Sequence, residues 1–388
     1  MNIKRISLTS LALACSTVSF TSLANPLDKT TFGFSGYVKA DAMVSQYSDG
    51  TLPSGTIGRD FYIPSLTPTG GEKESAQFDA HIKQSRFRFT TNTLLSNNEK
   101  ITGVLEFDFH TTPDGNERIS NSYEPRIRHA FIKYNNWLIG QTWSTFQDVK
   151  TLPESLDFIG VTDGTIFARQ TMVRYTSGAF EVALENPETT VTPFGGSGRI
   201  VADDNSVPDL AARYTLNQSW GHVSFAGLVR QLSYVEKQNG SDIDTDDVGY
   251  GLSITSKINF GQDDVRVMAN IGSGLGRYIA LNAVNSAVLD ANNELDTIDV
   301  RGFTVAYRHF WDPQWRSTFS YAMFSADNDT DLTGLGVIKE TYSARANILY
   351  SPSPELTFGA EYAYAKKTLE SDADGDMSRL QFSAKYAF

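Results

Sequence analysis

RLQFSAKYAF, residues 379–388, carries the pattern on which the reading of this chain turns. Arg379, Gln381, Ser383 and Lys385 fall on one parity, and Leu380, Phe382, Ala384, Tyr386 and Phe388 on the other. In an extended chain successive side chains point to opposite faces. The segment therefore reads as a strand with one polar and one apolar face. The same period of two runs through the chain. Phe32, Phe34, Val38, Ala40, Ala42 and Val44 oppose Ser35, Tyr37, Lys39 and Asp41. Arg86 and Arg88 alternate with Phe87 and Phe89, and Glu106 and Asp108 with Leu105, Phe107 and Phe109.

About sixteen such runs are present: 32–47, 81–93, 100–111, 125–134, 137–145, 169–177, 179–187, 209–217, 221–236, 246–259, 263–272, 297–311, 314–326, 339–351, 355–369 and 376–388. No segment sustains a helical period, and no Pro/Ser-rich linker divides the chain. The connections alternate in length. Asn135-Asn136, Ser177-Gly178, Phe260-Gly261-Gln262 and Asp312-Pro313 are short, whereas 48–80, 112–124, 146–168, 188–208, 273–296 and 327–338 are long. A secreted sandwich or propeller uses tight turns too, but has no reason for strict alternation. A transmembrane antiparallel β-barrel does, with short turns on the periplasmic side and long loops outside. In lipid every backbone polar group needs a partner, so only helices and closed barrels span. About sixteen strands enclose an aqueous lumen rather than a packed interior. The aromatic Phe388 at the end of the last apolar face resembles the assembly signal of bacterial outer-membrane barrels. Trp311, Trp315, Trp137 and Tyr350 flank short turns, where an interfacial aromatic girdle belongs.

Composition agrees. The 388 residues carry 33 Lys and Arg against 45 Asp and Glu, a net charge of −12, with 24 Phe, 17 Tyr and 30 Gly. That acidity excludes a nucleic-acid binder, which needs a basic face. Past the N-terminus no stretch has the ~18 consecutive apolar residues of a spanning helix. Residues 1–24 read as a signal peptide: Lys4 and Arg5, an apolar run from Ile6 to Phe20, and the small-x-small site Ser22-Leu23-Ala24. Cys15 follows Leu-Ala-Leu-Ala, but the order of residues fits a lipoprotein box poorly. The mature domain is then 25–388, exported to the bacterial outer membrane. It has no cysteine, and its 31 basic against 45 acidic residues make −14.

The chemistry falls on the inward parity. Arg86 and Arg88, then Arg126 and Arg128, lie two apart and project into the lumen. Arg174, Arg213, Arg266, Arg308, Arg316, Arg345 and Arg379 also alternate with apolar residues. Arginine is always charged and bidentate, which suits carboxylates. Several such sites at different depths would pass an anion along without trapping it. The alternative is a charge-balanced wall, in which Glu106, Asp108, Glu181 and Glu185 neutralise the arginines. Loop 146–168, the third external connection, holds Phe146, Leu152, Leu156, Phe158, Ile159, Val161, Ile166 and Phe167, a composition for burial inside the barrel. With Asp148, Lys150, Glu154, Asp157 and Asp163 it would form a constriction opposite the arginines, setting a transverse field. Three acidic triplets repeat one spacing, at Asp242/Asp244/Asp246, Asp327/Asp329/Asp331 and Asp372/Asp374/Asp376. They read as solvated external loops, linked by divalent cations to lipopolysaccharide phosphates, since none has the twelfth-position Glu of a calcium-hand loop. His81, His110, His129, His222 and His309 show no metal-ligand spacing, and no serine elbow is present. Neither an enzyme nor a cofactor is expected.

GYVKADAMVSQYSDG (36–50), QSRFRFTTNT (84–93) and above all RIRHAFIKYNNWLIGQTWSTFQD (126–148) resemble the DcaP-like porins of Gram-negative bacteria. The resemblance implies a sixteen-stranded trimeric porin for small anionic solutes such as dicarboxylates and aromatic acids. The family's basic lumen positions carry over to Arg86, Arg126 and Arg128. One departure is the family's N-terminal coiled coil, for which residues 25–31 leave no room. The expectation is a passive, anion-preferring channel. Its rivals are a weakly selective or cation-preferring porin and a structural or adhesive surface barrel.

Overall fold

The computed structural model describes residues 29–110, 123–196, 198–238 and 241–388. The export signal with Cys15, and most of connection 112–124, lie outside the described residues. The expected runs become one barrel strand each: β1 (Thr30–Tyr47), β2 (Arg86–Leu94), β3 (Lys100–Asp108), β4 (Arg126–Tyr134), β5 (Trp137–Trp143), β6 (Arg169–Ser177), β7 (Phe180–Glu185), β8 (Asp209–Gln218), β9 (Gly221–Gln238), β10 (Ser241–Phe260), β11 (Asp263–Ser273), β12 (Asp299–Phe310), β13 (Trp315–Asp327), β14 (Ile338–Ser353), β15 (Leu356–Leu369) and β16 (Asp374–Ala387). Each pairs antiparallel with the next, and β16 pairs with β1 from Tyr37↔Ala387 to Tyr47↔Met377, closing the barrel. The tight turns owe their hand to residues at positive φ, namely Asn135 at 50°, Gly178 at 60° and Gly261 at 66°.

The outward parity forms the expected apolar belt. On β10 it reads Val248, Tyr250, Leu252 and Ile254, all at least half exposed. Near the short turns Trp315 stacks on Tyr350 at 4.6 Å, and Trp137 packs on Tyr175 at 4.8 Å. The barrel is lopsided: β5 has 7 residues and β7 has 6, whereas β9 has 18 and β10 has 20.

Three differences from the sequence reading have local causes. The run 81–93 is interrupted. Gln77–His81 pairs with Asp41–Ser45 of β1 as a separate short strand, the chain turns at 82–85, and β2 starts at Arg86. Ser85 uses that turn to accept a hydrogen bond from the Lys39 amide at 3.1 Å. The triplet Asp242/Asp244/Asp246 lies in strand β10, not in a loop, and the other two triplets straddle strand ends. Spacing of two on a strand fans carboxylates along one face, so they diverge instead of converging as ligands. Asp242, Asp244 and Asp246 continue the outward stripe of Val248, just beyond the apolar belt. Finally, the fourth and sixth loops contain structure of their own. Ile200–Ala202, Thr189–Thr192, Ala287–Leu289 and Leu295–Thr297 form a second, four-stranded sheet. Val191, Ala202, Ala287, Leu289 and Leu295 pack it onto Leu232 and Tyr234 of the tall β9.

Gly140 on β5 has φ 128°, and a Cβ there would lie 2.3 Å from the Ala130 carbonyl oxygen. Gly140→Ala is expected to cost about 1–3 kcal/mol through backbone strain. The temperature at which the folded gel band converts to the unfolded one should fall accordingly. An unshifted transition would show that β4 and β5 can separate at no cost.

Candidate functional site

The lumen wall is built around an irregularity in one ladder. β3 and β4 pair regularly up to Glu106↔His129, and the next pair is Phe107↔Ile127, which leaves Arg128 as the extra residue of a β-bulge. The bulge lets neighbouring residues of one strand both turn inward. Arg128 donates from Nε to Glu106 at 3.0 Å and from Nη1 to Asp108 at 2.8 Å. His129 meets the Thr142 hydroxyl at 2.9 Å and lies 3.7 Å from Glu106. Arg126 forks onto Asp108 with bonds of 3.0 and 2.9 Å. Arg86 and Arg88 of β2 each lie 3.6 Å from Glu106. Four arginines thus share two carboxylates. Arg128 is buried and Arg88 is 41% exposed, so the cluster runs from wall to water.

The remaining arginines repeat this arrangement toward the short-turn end. Arg174 and Arg213 share Glu181. Arg266, Arg308 and Lys257 share Asp264, while Arg308 and Arg316 share Glu154. Arg345 and Arg379 together are matched one for one by Glu361 and Asp157, with Arg345 3.0 Å from Glu361 and 3.5 Å from Asp157, and Arg379 3.9 Å from Asp157. Every arginine expected in the lumen therefore has a carboxylate within reach. Among the described residues the wall is paired, with several of its arginines sharing one carboxylate. Glu106, Asp108 and Glu181 act as anticipated, whereas Glu185 accepts from the Thr145 amide and from Gln170 instead.

Loop 146–168 folds inside the barrel. Phe146, Leu156, Ile159, Val161 and Ile166 are buried. Its acidic residues dock it onto the wall in order. Asp148 accepts from Thr255 on β10 at 2.8 Å and pairs with His222 on β9 at 2.7 Å. Glu154 is gripped by Arg316 at 2.7 Å and by Arg308 at 3.3 Å. Burial alone would raise the Glu154 pKa, but these two guanidinium groups outweigh it and hold it below the ordinary value. Asp157 accepts from the Tyr62 amide at 2.9 Å, and Asp163 from the Tyr62 hydroxyl at 2.8 Å and from Ser343. For Asp163, with no cation beside it, burial wins and its pKa is raised. Lys150 is exposed and lines a small pocket with Arg213 and Glu181.

This docking changes the expected field. The loop's carboxylates are engaged on β9 to β16 and on Tyr62 of the first loop, so the four-arginine cluster faces an aromatic ring and not a carboxylate row. Phe158 lies 5.6 Å from the Arg126 guanidinium and 5.3 Å from that of Arg128. It is wedged against His110 at 4.6 Å and Phe61 at 5.1 Å. The inward arginines and the burial of this loop were legible in the sequence. Its anchors were not. Glu361 accepts from the Ser155 hydroxyl at 2.8 Å and the Leu156 amide at 2.9 Å, and Gln381 and Gln84 donate to the Leu156 carbonyl. Glu361 lies on the inward parity of β15, the only signal that could have pointed to it.

Glu361→Ala removes the acceptor of the Ser155 hydroxyl and the Leu156 amide and leaves the buried Arg345 with Asp157 alone among the described carboxylates, at 3.5 Å. Losing one partner of a buried pair costs about 3–5 kcal/mol. The expected outcome is a detached loop, read as altered single-channel conductance with added open-channel noise. Traces identical to those of the unsubstituted channel would show that the loop is held by packing alone.

Comparison with known proteins places this architecture. Among solved structures the chain is similar to the outer membrane channel DcaP of Acinetobacter baumannii (TM-score 0.77, 23% identity, 95% of this chain and 99% of that one). It is also similar to OmpT of Vibrio cholerae (TM-score 0.56, 14% identity, 93% and 98%) and to an anion-selective porin from Comamonas acidovorans (TM-score 0.55, 10% identity, 92% and 100%). At these identities the likeness speaks for the fold. No curated protein matches the chain. The model of the DcaP outer membrane protein family, however, matches residues 10–388. The chain is an outer-membrane β-barrel and belongs to the DcaP outer membrane protein family.

Proposed function

We propose that this barrel is a passive diffusion channel that favours small anionic solutes, dicarboxylates and aromatic acids among them. One observation carries the reading. Arg86, Arg88, Arg128, Arg174, Arg213, Lys257, Arg266, Arg308 and Arg316 share only Glu106, Asp108, Glu181, Asp264 and Glu154 among the described residues. Nine cations on five carboxylates among the described residues leave a basic track. A guanidinium that shares its carboxylate keeps N–H donors for a passing solute. The sharing also blunts each site, which favours exchange over trapping. The path needs no reaction step and no cofactor, only a graded potential.

The outward carboxylates support lipopolysaccharide as a second partner. Asp242, Asp244, Asp246, Asp374 and Asp376 stand on strand faces beyond the apolar belt, where divalent cations can bridge them to lipid phosphates. The low wall from β2 to β7 supports a homotrimer. Beside it Phe34, Phe87, Phe89, Phe107 and Phe388 form one outward aromatic cluster, with contacts from 5.1 to 6.2 Å. In a trimer this cluster packs ring on ring against a neighbouring barrel.

In a planar bilayer with a salt gradient at neutral pH, the reversal potential should report anion preference. Cation preference, which the mature charge of −14 would favour, overturns the reading. Arg86→Ala combined with Arg126→Ala should lower succinate flux far more than glucose flux. Equal loss of both would mean that the arginines only shape the pore. Unheated detergent-solubilised protein should migrate at trimer mass, and a monomer band under every mild condition would remove the homotrimer.

A further inference from the structure

The outer end of the barrel holds a chamber of about 640 Å³ that the arginine track does not include. It lies among the first, fourth, sixth and seventh loops and the outer ends of β14 and β15. Its lining contains Lys367 and Arg199 and no Asp or Glu, in a chain with 45 acidic residues. Neither cation has an ion pair among the described residues. Lys367 is 8% exposed, and its ammonium group donates to the Ser65 carbonyl at 3.1 Å. Arg199 is held by neutral acceptors, Nε on the Asn285 side-chain oxygen at 2.6 Å and Nη2 on the Asn282 carbonyl. The arginines of the basic track, by contrast, each meet a carboxylate. A nearly buried ammonium with no counterion is costly, and an incoming anion relieves that cost.

The rest of the lining defines what such an anion looks like. Val284, Ile298, Leu335, Ile338 and Leu369 supply apolar surface beside the two charges. The pattern, apolar walls with a few convergent polar groups in a volume of several hundred Å³, is that of a small-molecule site. We propose that this chamber is an outer capture site for organic anions with an apolar body, of the aromatic carboxylate class. Lys367 and Arg199 take the carboxylate, and Val284, Ile298 and Leu335 cover the ring. A solute arriving from outside meets this site before the basic track. The inference rests on the reading of the barrel as an anion channel and specifies where selection begins.

The test is block of single-channel KCl current by benzoate added on the loop side, with acetate as the carboxylate lacking an apolar body. Benzoate should block at concentrations where acetate does not. In Lys367→Met/Arg199→Gln the half-blocking concentration should rise about tenfold or more, the scale of one lost charged contact. Lys367→Arg should retain block, and Lys339→Met, at an exposed lysine on the outer surface, should leave it unchanged. Migration of the unheated protein reports folding for each variant. Unchanged benzoate block in the double variant overturns the capture site, as does equal block by acetate and benzoate. A cation-selective reversal potential overturns the channel reading itself, and it is measured without benzoate, so the two failures are separable.

Discussion

No backbone edge can be left open in hydrocarbon, and everything else in this molecule follows from how that demand is met. Gly36 and Phe388 exchange both backbone hydrogen bonds, at 2.9 and 3.0 Å, where the last strand returns to the first. Closure of sixteen strands leaves a lumen too wide for wall side chains to fill. The chain fills much of it with its own third loop. That loop has its own polar backbone to satisfy, and the wall supplies the partners. Lys39, Gln84 and Gln381 converge on the Leu156 carbonyl, and Glu361 takes the Leu156 amide. The inward polar parity is thus both the surface of a water path and a docking frame.

Pairing within that frame is uneven, and the unevenness has chemical content. Where the loop docks, at Arg345, Arg379, Asp157 and Glu361, charges match and are buried, as a structural contact requires. Where the wall faces water, Arg86 and Arg88 share Glu106 among the described residues, and solvent reaches the half-exposed Arg88. Carboxylates extend the outward stripes of β10 and β16 beyond the apolar belt, while arginines and the carboxylates they share line the inside.

Period two is a property of extended backbone alone, so the strands were readable residue by residue. Even so, the run 81–93 misled at one point, because Ser85 bends the chain to reach Lys39, a contact between residues 46 positions apart. The bulge at Arg128 was equally invisible. Nothing in Arg126-Ile127-Arg128-His129 states that the β3 partner skips a residue there. The loop anchors escaped for the same reason. Glu361 lies about two hundred positions from the loop atoms it holds, and only closure brings them together.

By itself, then, the sequence determined the class of fold, the inward face of each strand, the arginines on that face and the burial of the third loop. These depend on alternation and composition, which are local. Only the tertiary structure decided which carboxylate each arginine shares, that Phe158 and not an acidic row faces the Arg126–Arg128 pair, and that Lys367 and Arg199 have no carboxylate partner among the described residues. Those outcomes depend on register and closure. They bring together residues that no local pattern relates.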